Sequence, residues 1–199
     1  MTLNLFFALA LFAGIAAFTP GPNNTLLMAS GMNFGFRRSV PVILGVVLGF
    51  PFMIGCVGLG LGRIFELYPA IYTTLKYAGA AYMLWLAWKI ASAMPASETE
   101  AAEAKPLSFM QMVLFQWVNP KGWVMAVTAL SAYTVASDYY VGVAIVVATF
   151  VFMGITSASL WTMFGASLKS VMNDPRYFRV INVGLAVLLV ASLVPMLAH

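Results

Sequence analysis

The chain has 199 residues, of which 62% are hydrophobic and only 8% charged, with a mean hydropathy of +0.94 and a formal net charge of +4. Soluble domains carry roughly a quarter charged residues, so most of this surface must face lipid. The basic charge is scattered through short loops with no stripe interleaved with aromatics, which excludes a nucleic-acid surface. A lone cysteine, Cys56, excludes a disulfide framework and any CxxC relay.

Charged residues divide the chain into six apolar runs. The stretch from Met1 up to Arg37 is uncharged, and no Lys or Arg precedes it. It therefore lacks the positive start of a cleaved signal peptide and is expected to stay as a first span. Ser39–Gly62 is the second run; Tyr68–Ile90 is the third, with Lys76 inside it and Trp85, Trp88 and Lys89 closing it as a membrane-interface belt. Residues 94–106, MPASETEAAEAKP, read as a solvated linker. Leu107–Ser137 contains Lys121, Tyr139–Leu168 is clean, and Val180–Ala198 ends the series. Each run reaches the roughly 20 residues a spanning helix needs, and none alternates with the period of a membrane barrel.

The expected fold is all-α: an integral membrane protein of about six spans in one membrane domain. A three-span repeat over 1–93 and a second over 107–199 flank the linker. Phe50, Phe52 and Met53 recur at Phe150, Phe152 and Met153, and Pro20 at Pro120, all offset by 100 residues. Three spans per half make the second copy inverted in the membrane. The loops after spans one, three and five carry Arg37, Arg38, Lys89, Lys105, Lys169, Arg176 and Arg179, against Arg63 on the other side. The positive-inside rule then puts the linker in the cytoplasm and both termini outside.

Runs one and four each contain a helix breaker. In the first it is Thr19-Pro20-Gly21-Pro22-Asn23-Asn24, where two prolines free the carbonyls of Ala16 and Phe18; in the fourth it is Asn119-Pro120-Lys121-Gly122, where Pro120 frees that of Gln116. Freed backbone at membrane depth persists only beside protein groups or a water-filled cavity. Paired interruptions at corresponding positions of two halves point to a transport site, although a single proline alone reads as a simple kink. Thr19 before Pro20 and Asn119 before Pro120 have the form of N-cap and first-turn pairs. Positive half-helix ends together with Lys121 suit a carboxylate, and the freed carbonyls suit an ammonium group. A zwitterionic amino acid matches both. Lys121 is costly at mid-membrane and either serves such a site or snorkels to an interface; Lys76, near a span end, reads as a snorkelling residue.

TPGPNN in the first run, GAAYMLWLAWKI at 79–90 and NPKGW at 119–123 resemble the lysine exporter superfamily, over nearly the whole chain. AWKI, AKPLSF at 104–109 and QWVN at 116–119 are most similar to its cysteine and O-acetylserine exporters. The resemblance implies secondary-active export of amino acids or their derivatives across the bacterial inner membrane. It puts Pro20, Gly21, Pro22, Asn23, Asn119, Pro120 and Lys121 on signature positions, with Thr19, Asn24 and Gln116 beside them as substrate-binding candidates. Many members carry an acidic residue in the fifth span, where this chain has Thr156, Ser157, Ser159 and Thr162. The coupling ion is expected to be a proton, with Glu66, Asp138 and Lys76 as candidate carriers, Glu66 and Asp138 both reading as loop residues near the outer ends.

Gly45 and Gly49 form a GxxxG that packs helices within a subunit or across a homodimer. No cofactor or metal is expected. An intramembrane enzyme lacks parts, because the one histidine is the terminal His199 and no carboxylate is central. A channel is the alternative, since broken helices could also supply carbonyls to a pore.

Overall fold

A computed structural model describes residues 1–61, 67–93, 104–171 and 175–194, and among them every regular element is helical. In chain order these are α1 (Leu3–Phe18), α2 (Pro22–Arg38) and α3 (Val40–Cys56, running on through a π turn at Val57–Leu61), then α4 (Pro69–Ala91). After the linker come α5 (Phe109–Val118), α6 (Pro120–Tyr133), a 3₁₀ turn at Ala136–Asp138, α7 (Tyr139–Val171) and α8 (Pro175–Ala191). The starts follow ordinary capping chemistry. Ser108 and Gln111 form a reciprocal capping box on α5, and proline stands first in α2, α4, α6 and α8, where its missing N–H costs nothing.

Two junctions interrupt the run of helices, between α1 and α2 and between α5 and α6. Val40–Leu61 and Ala136–Leu168 are each long and apolar enough to cross a membrane, and α1 with α2 qualifies as a pair bent by 52°. The chain is inside-out relative to a water-soluble protein. Leu3, Phe7, Leu11 and Ile15 form an i, i+4 stripe on α1 that is 61–69% exposed. Asn24, Gln116, Asn119, Ser157, Thr162 and Asn182 are buried instead. At the end of α4, Lys89 Nζ lies 4.6 Å from the Trp85 ring centroid, the cation–aromatic pairing of an interface belt.

Packing relies on glycine where backbones meet. A Cβ on Gly31 of α2 would lie 2.1 Å from the Thr162 carbonyl oxygen of α7, and one on Gly165 of α7 would lie 2.1 Å from the Met28 carbonyl oxygen of α2. No side chain fits either position. The Gly45 and Gly49 face packs within the chain: their added Cβ atoms would lie 2.4 Å from Met112 Cβ and 2.8 Å from Val113 Cα, both on α5. These contacts bring α5 and α7 onto the helices of the first half and set the two breaks side by side.

Candidate functional site

The first break is shaped by its prolines. Pro20 pushes Thr19 out of the helical region, to ψ 133°. Thr19 thus closes α1 as its C-cap, donating its N–H to the Ile15 carbonyl at 2.9 Å. This differs from the N-cap role expected of Thr19. Two prolines in three residues delay the next helix to Pro22, with extended Gly21 as the cap residue. Any residue adopts that extended backbone; the Lys121 stem lies close beside it, 2.7 Å at Cδ from an added Cβ, a contact the lysine could relieve by shifting.

The carbonyls at the end of α1 draw donors from three helices. Asn24 Nδ2 donates to Ala17 O and Thr19 O, both at 2.9 Å. Ser157 Oγ donates to Ala17 O at 2.7 Å, and Lys121 Nζ donates to Thr19 O at 2.6 Å. Lys121 therefore spans the two breaks, its ammonium on the negative end of α1.

The second break is tighter. Asn119 separates α5 from α6 at φ −84°, ψ 108°. The Gln116 carbonyl, expected to be freed by Pro120, instead accepts the Asn119 N–H at 3.3 Å. An i to i+3 closure of this kind recovers a terminal carbonyl without an added donor. Asn119 stands at the cap position of α6, yet its side chain makes no capping bond, and its fully buried Oδ1 has no partner.

A reciprocal amide pair joins the breaks. Asn23 Nδ2 donates to Gln116 Oε1 at 2.8 Å, and Gln116 Nε2 donates to Asn23 Oδ1 at 3.1 Å and to Met112 O at 2.9 Å. Asn23, Asn24, Asn119, Lys121 and Ser157 line a cavity of about 50 Å³, with Phe50 and Phe150 among its apolar walls. Those two rings meet edge to face with centroids 5.3 Å apart. The offset of 100 residues signalled them in sequence, but not that they would touch. Of the fifth-span polar residues, only Ser157 lines this cavity; Thr162 bonds back to Ala158 O at 2.8 Å in its own helix.

On the far side of Lys121 lies a chamber of about 680 Å³, lined by Thr19, Pro20, Pro22 and Pro120 of the breaks and by Lys76 of α4. Gly21 and Lys121 are the two residues common to both spaces. The structure thus gathers Thr19, Pro20, Gly21, Pro22, Asn23, Asn24, Gln116, Asn119, Pro120 and Lys121 at one place. Asp138 is not part of it. It is exposed in the 3₁₀ turn, where it accepts a 3.0 Å bond from Ser137 Oγ. Glu66 lies outside the described residues. Among the described residues no group of His, Cys, Asp or Glu could hold a metal ion.

Comparison with known proteins places the chain in a family. The family model for the LysE type translocator matches residues 14–194. The cysteine/O-acetylserine efflux proteins of Escherichia coli (strain K12), Escherichia coli O9:H4 (strain HS) and Shigella flexneri are each 38% identical to this chain over 195 residues, covering 96% of both chains. No solved structure matches it. A helical membrane protein with its first and fourth segments broken, matched along nearly its whole length, this chain belongs to the LysE type translocator family.

Proposed function

We propose that the chain is a secondary-active exporter of amino acids or amino-acid derivatives, with cysteine- and O-acetylserine-like molecules as its substrate class. The observation that carries this reading is the pair of helix breaks bonded through Asn23 and Gln116 around a cavity of polar side chains. An amino acid has one charge of each sign, and the site offers a partner for both. The starts of α2 and α6 carry the positive ends of helix dipoles and suit the carboxylate. The unpaired Asn119 Oδ1 and the carbonyl-rich end of α1 suit the ammonium. Lys121, bonded in this conformation to Thr19 O, would exchange that carbonyl for the substrate carboxylate.

The cavity size favours a carrier over a pore. About 50 Å³ holds little more than water, so an amino acid enters only when the helices around the breaks move. Such motion is alternating access between two three-span halves, 1–93 and 107–199, with the linker cytoplasmic and both termini outside. Proton coupling follows as the expected energy source, and with no carboxylate among the residues lining the cavity, Lys121 and Lys76 are the ionisable groups nearest the path.

The test is counterflow. Purified protein in liposomes preloaded with unlabelled cysteine or O-acetylserine should accumulate the labelled compound transiently, without an imposed gradient. Flux of label with no such overshoot would replace the carrier with a channel.

A further inference from the structure

The larger chamber has the properties of a site rather than of a gap. Its walls are largely carbon, from Leu75, Val118, Val124, Trp117 and Trp123, and its volume of about 680 Å³ lies within the roughly 300–1,000 Å³ of small-molecule sites. Two cationic side chains line it, Lys76 from α4 and Lys121 from α6, and among the described residues none that lines it is a carboxylate. Lys121 donates to an uncharged carbonyl, and Lys76 Nζ lies 6.0 Å from the Tyr77 ring centroid. Two ammonium groups facing one space favour an anion between them.

The two tryptophans are held as a unit. Trp123 Nε1 donates to Trp117 O at 2.9 Å, and the rings sit edge to face with centroids 6.1 Å apart. They present a fixed apolar wall in the same space as the two ammonium groups.

We propose that this chamber is a second binding site, for organic carboxylates bearing an apolar or aromatic group. The carboxylate is held by Lys76 and Lys121, and the carbon part lies against Trp117 and Trp123. Its place in a transport path rests on the exporter reading above. The small cavity and the chamber share only Gly21 and Lys121, so movement of the Lys121 side chain across Gly21 passes substrate from one to the other. Lys76 then acts as a specificity-determining residue that receives the carboxylate as it leaves.

The probe is 3-nitrobenzoate, a quencher of indole fluorescence, with 3-nitrobenzamide as its uncharged twin. The chain has five tryptophans, and Trp85→Phe, Trp88→Phe and Trp161→Phe leave Trp117 and Trp123 as the reporters. In the purified, lipid-reconstituted protein the acid should quench saturably, while the amide quenches only linearly, as a collisional partner. Lys76→Gln should raise the Kd for the acid by about tenfold or more, and Lys76→Arg by less than about threefold. Saturable quenching that is equal for acid and amide overturns the proposal, as does an unchanged Kd in Lys76→Gln. The acid-to-amide comparison needs no Lys76 variant, so a poorly folding variant does not blunt the test. Counterflow in the same preparation decides the exporter reading separately. Anion binding without counterflow keeps the site and removes the carrier, and counterflow without anion binding removes the site.

Discussion

The two helix breaks are built to opposite specifications. Around the first, Asn24, Ser157 and Lys121 place four hydrogen bonds on the Ala17 and Thr19 carbonyls. The helix that follows is seated backbone to backbone on α7 through Gly31 and Gly165. The second break is one residue long and closes on itself through the Asn119 N–H. At Gly122 of the helix that follows it, an added Cβ would make only ordinary contacts, 3.5 Å from Met53 Cε and Phe50 Cε2 and 3.6 Å from the Gln116 carbonyl oxygen. The difference teaches that sequence-equivalent breaks need not be built alike: the α1–α2 break is a frame of donors from three helices, whereas the α5–α6 break closes within its own turn.

The largest effect should come from dismantling the frame. Asn24→Leu removes one donor from each of two carbonyls in one step, leaving Ala17 O to Ser157 and Thr19 O to Lys121, and each lost bond is worth about 0.5–1.5 kcal/mol before the cost of seating a leucine among polar groups. We expect a much lower unfolding temperature in detergent and poor yield. A protein with parental thermal stability would show that the first break is no more constrained than the second.

Next comes Pro120→Ala, which should separate stability from transport. The restored N–H at position 120 reaches for the Gln116 carbonyl and lets α5 run into α6 without loss of packing. Melting temperature should hold or rise while counterflow falls by about tenfold, a barrier change of about 1.4 kcal/mol. Pro20→Ala should do less to transport. Its neighbour Thr19 is already held in extended geometry by donors from α2 and α6. Equal losses in the two variants would erase the asymmetry.

A smaller and more selective effect is expected from Lys121→Gln, since one side chain touches both breaks. Glutamine can still donate to the Thr19 carbonyl, so the fold should survive. Affinity for an amino acid should drop by about tenfold more than affinity for its amide, in line with a charge-assisted bond of about 1.5–3 kcal/mol. Concentration-dependent uptake into inside-out vesicles measures both, and equal losses would remove the carboxylate from the role of Lys121.

The smallest change is expected from Asn119→Ala, whose Oδ1 has no protein partner to lose. Thermal stability should move by less than about 0.5 kcal/mol, while affinity falls for the amino acid and not for its des-amino analogue. A large drop in stability would mean that Asn119 belongs to the frame.

Much of this was legible in the sequence. Proline cannot donate, so Pro20, Pro22 and Pro120 announced both breaks, and uncharged runs announced the spans. Amides and a lysine beside the prolines announced the polar cluster. What stayed hidden depends on contacts between distant segments. Nothing local marks Ser157, among the serines and threonines of its span, as the one that reaches Ala17 O. Nor does the NPK triplet show that Lys121 reaches the end of α1, or that Gln116 recovers its carbonyl bond within its own turn.

The bent first segment also ties the site to the lipid around it. At 1.5 Å per residue α1 and the part of α2 before its kink at Gly35 trace a path of about 44 Å, beyond the roughly 30 Å hydrocarbon thickness. The 52° bend accommodates part of that excess, and its vertex is the Thr19–Gly21 turn where the donors converge. A thicker bilayer favours a straighter pair and a thinner one a sharper fold. A bend whose vertex is the polar cluster thus couples the geometry of the site to the thickness that the first segment has to match.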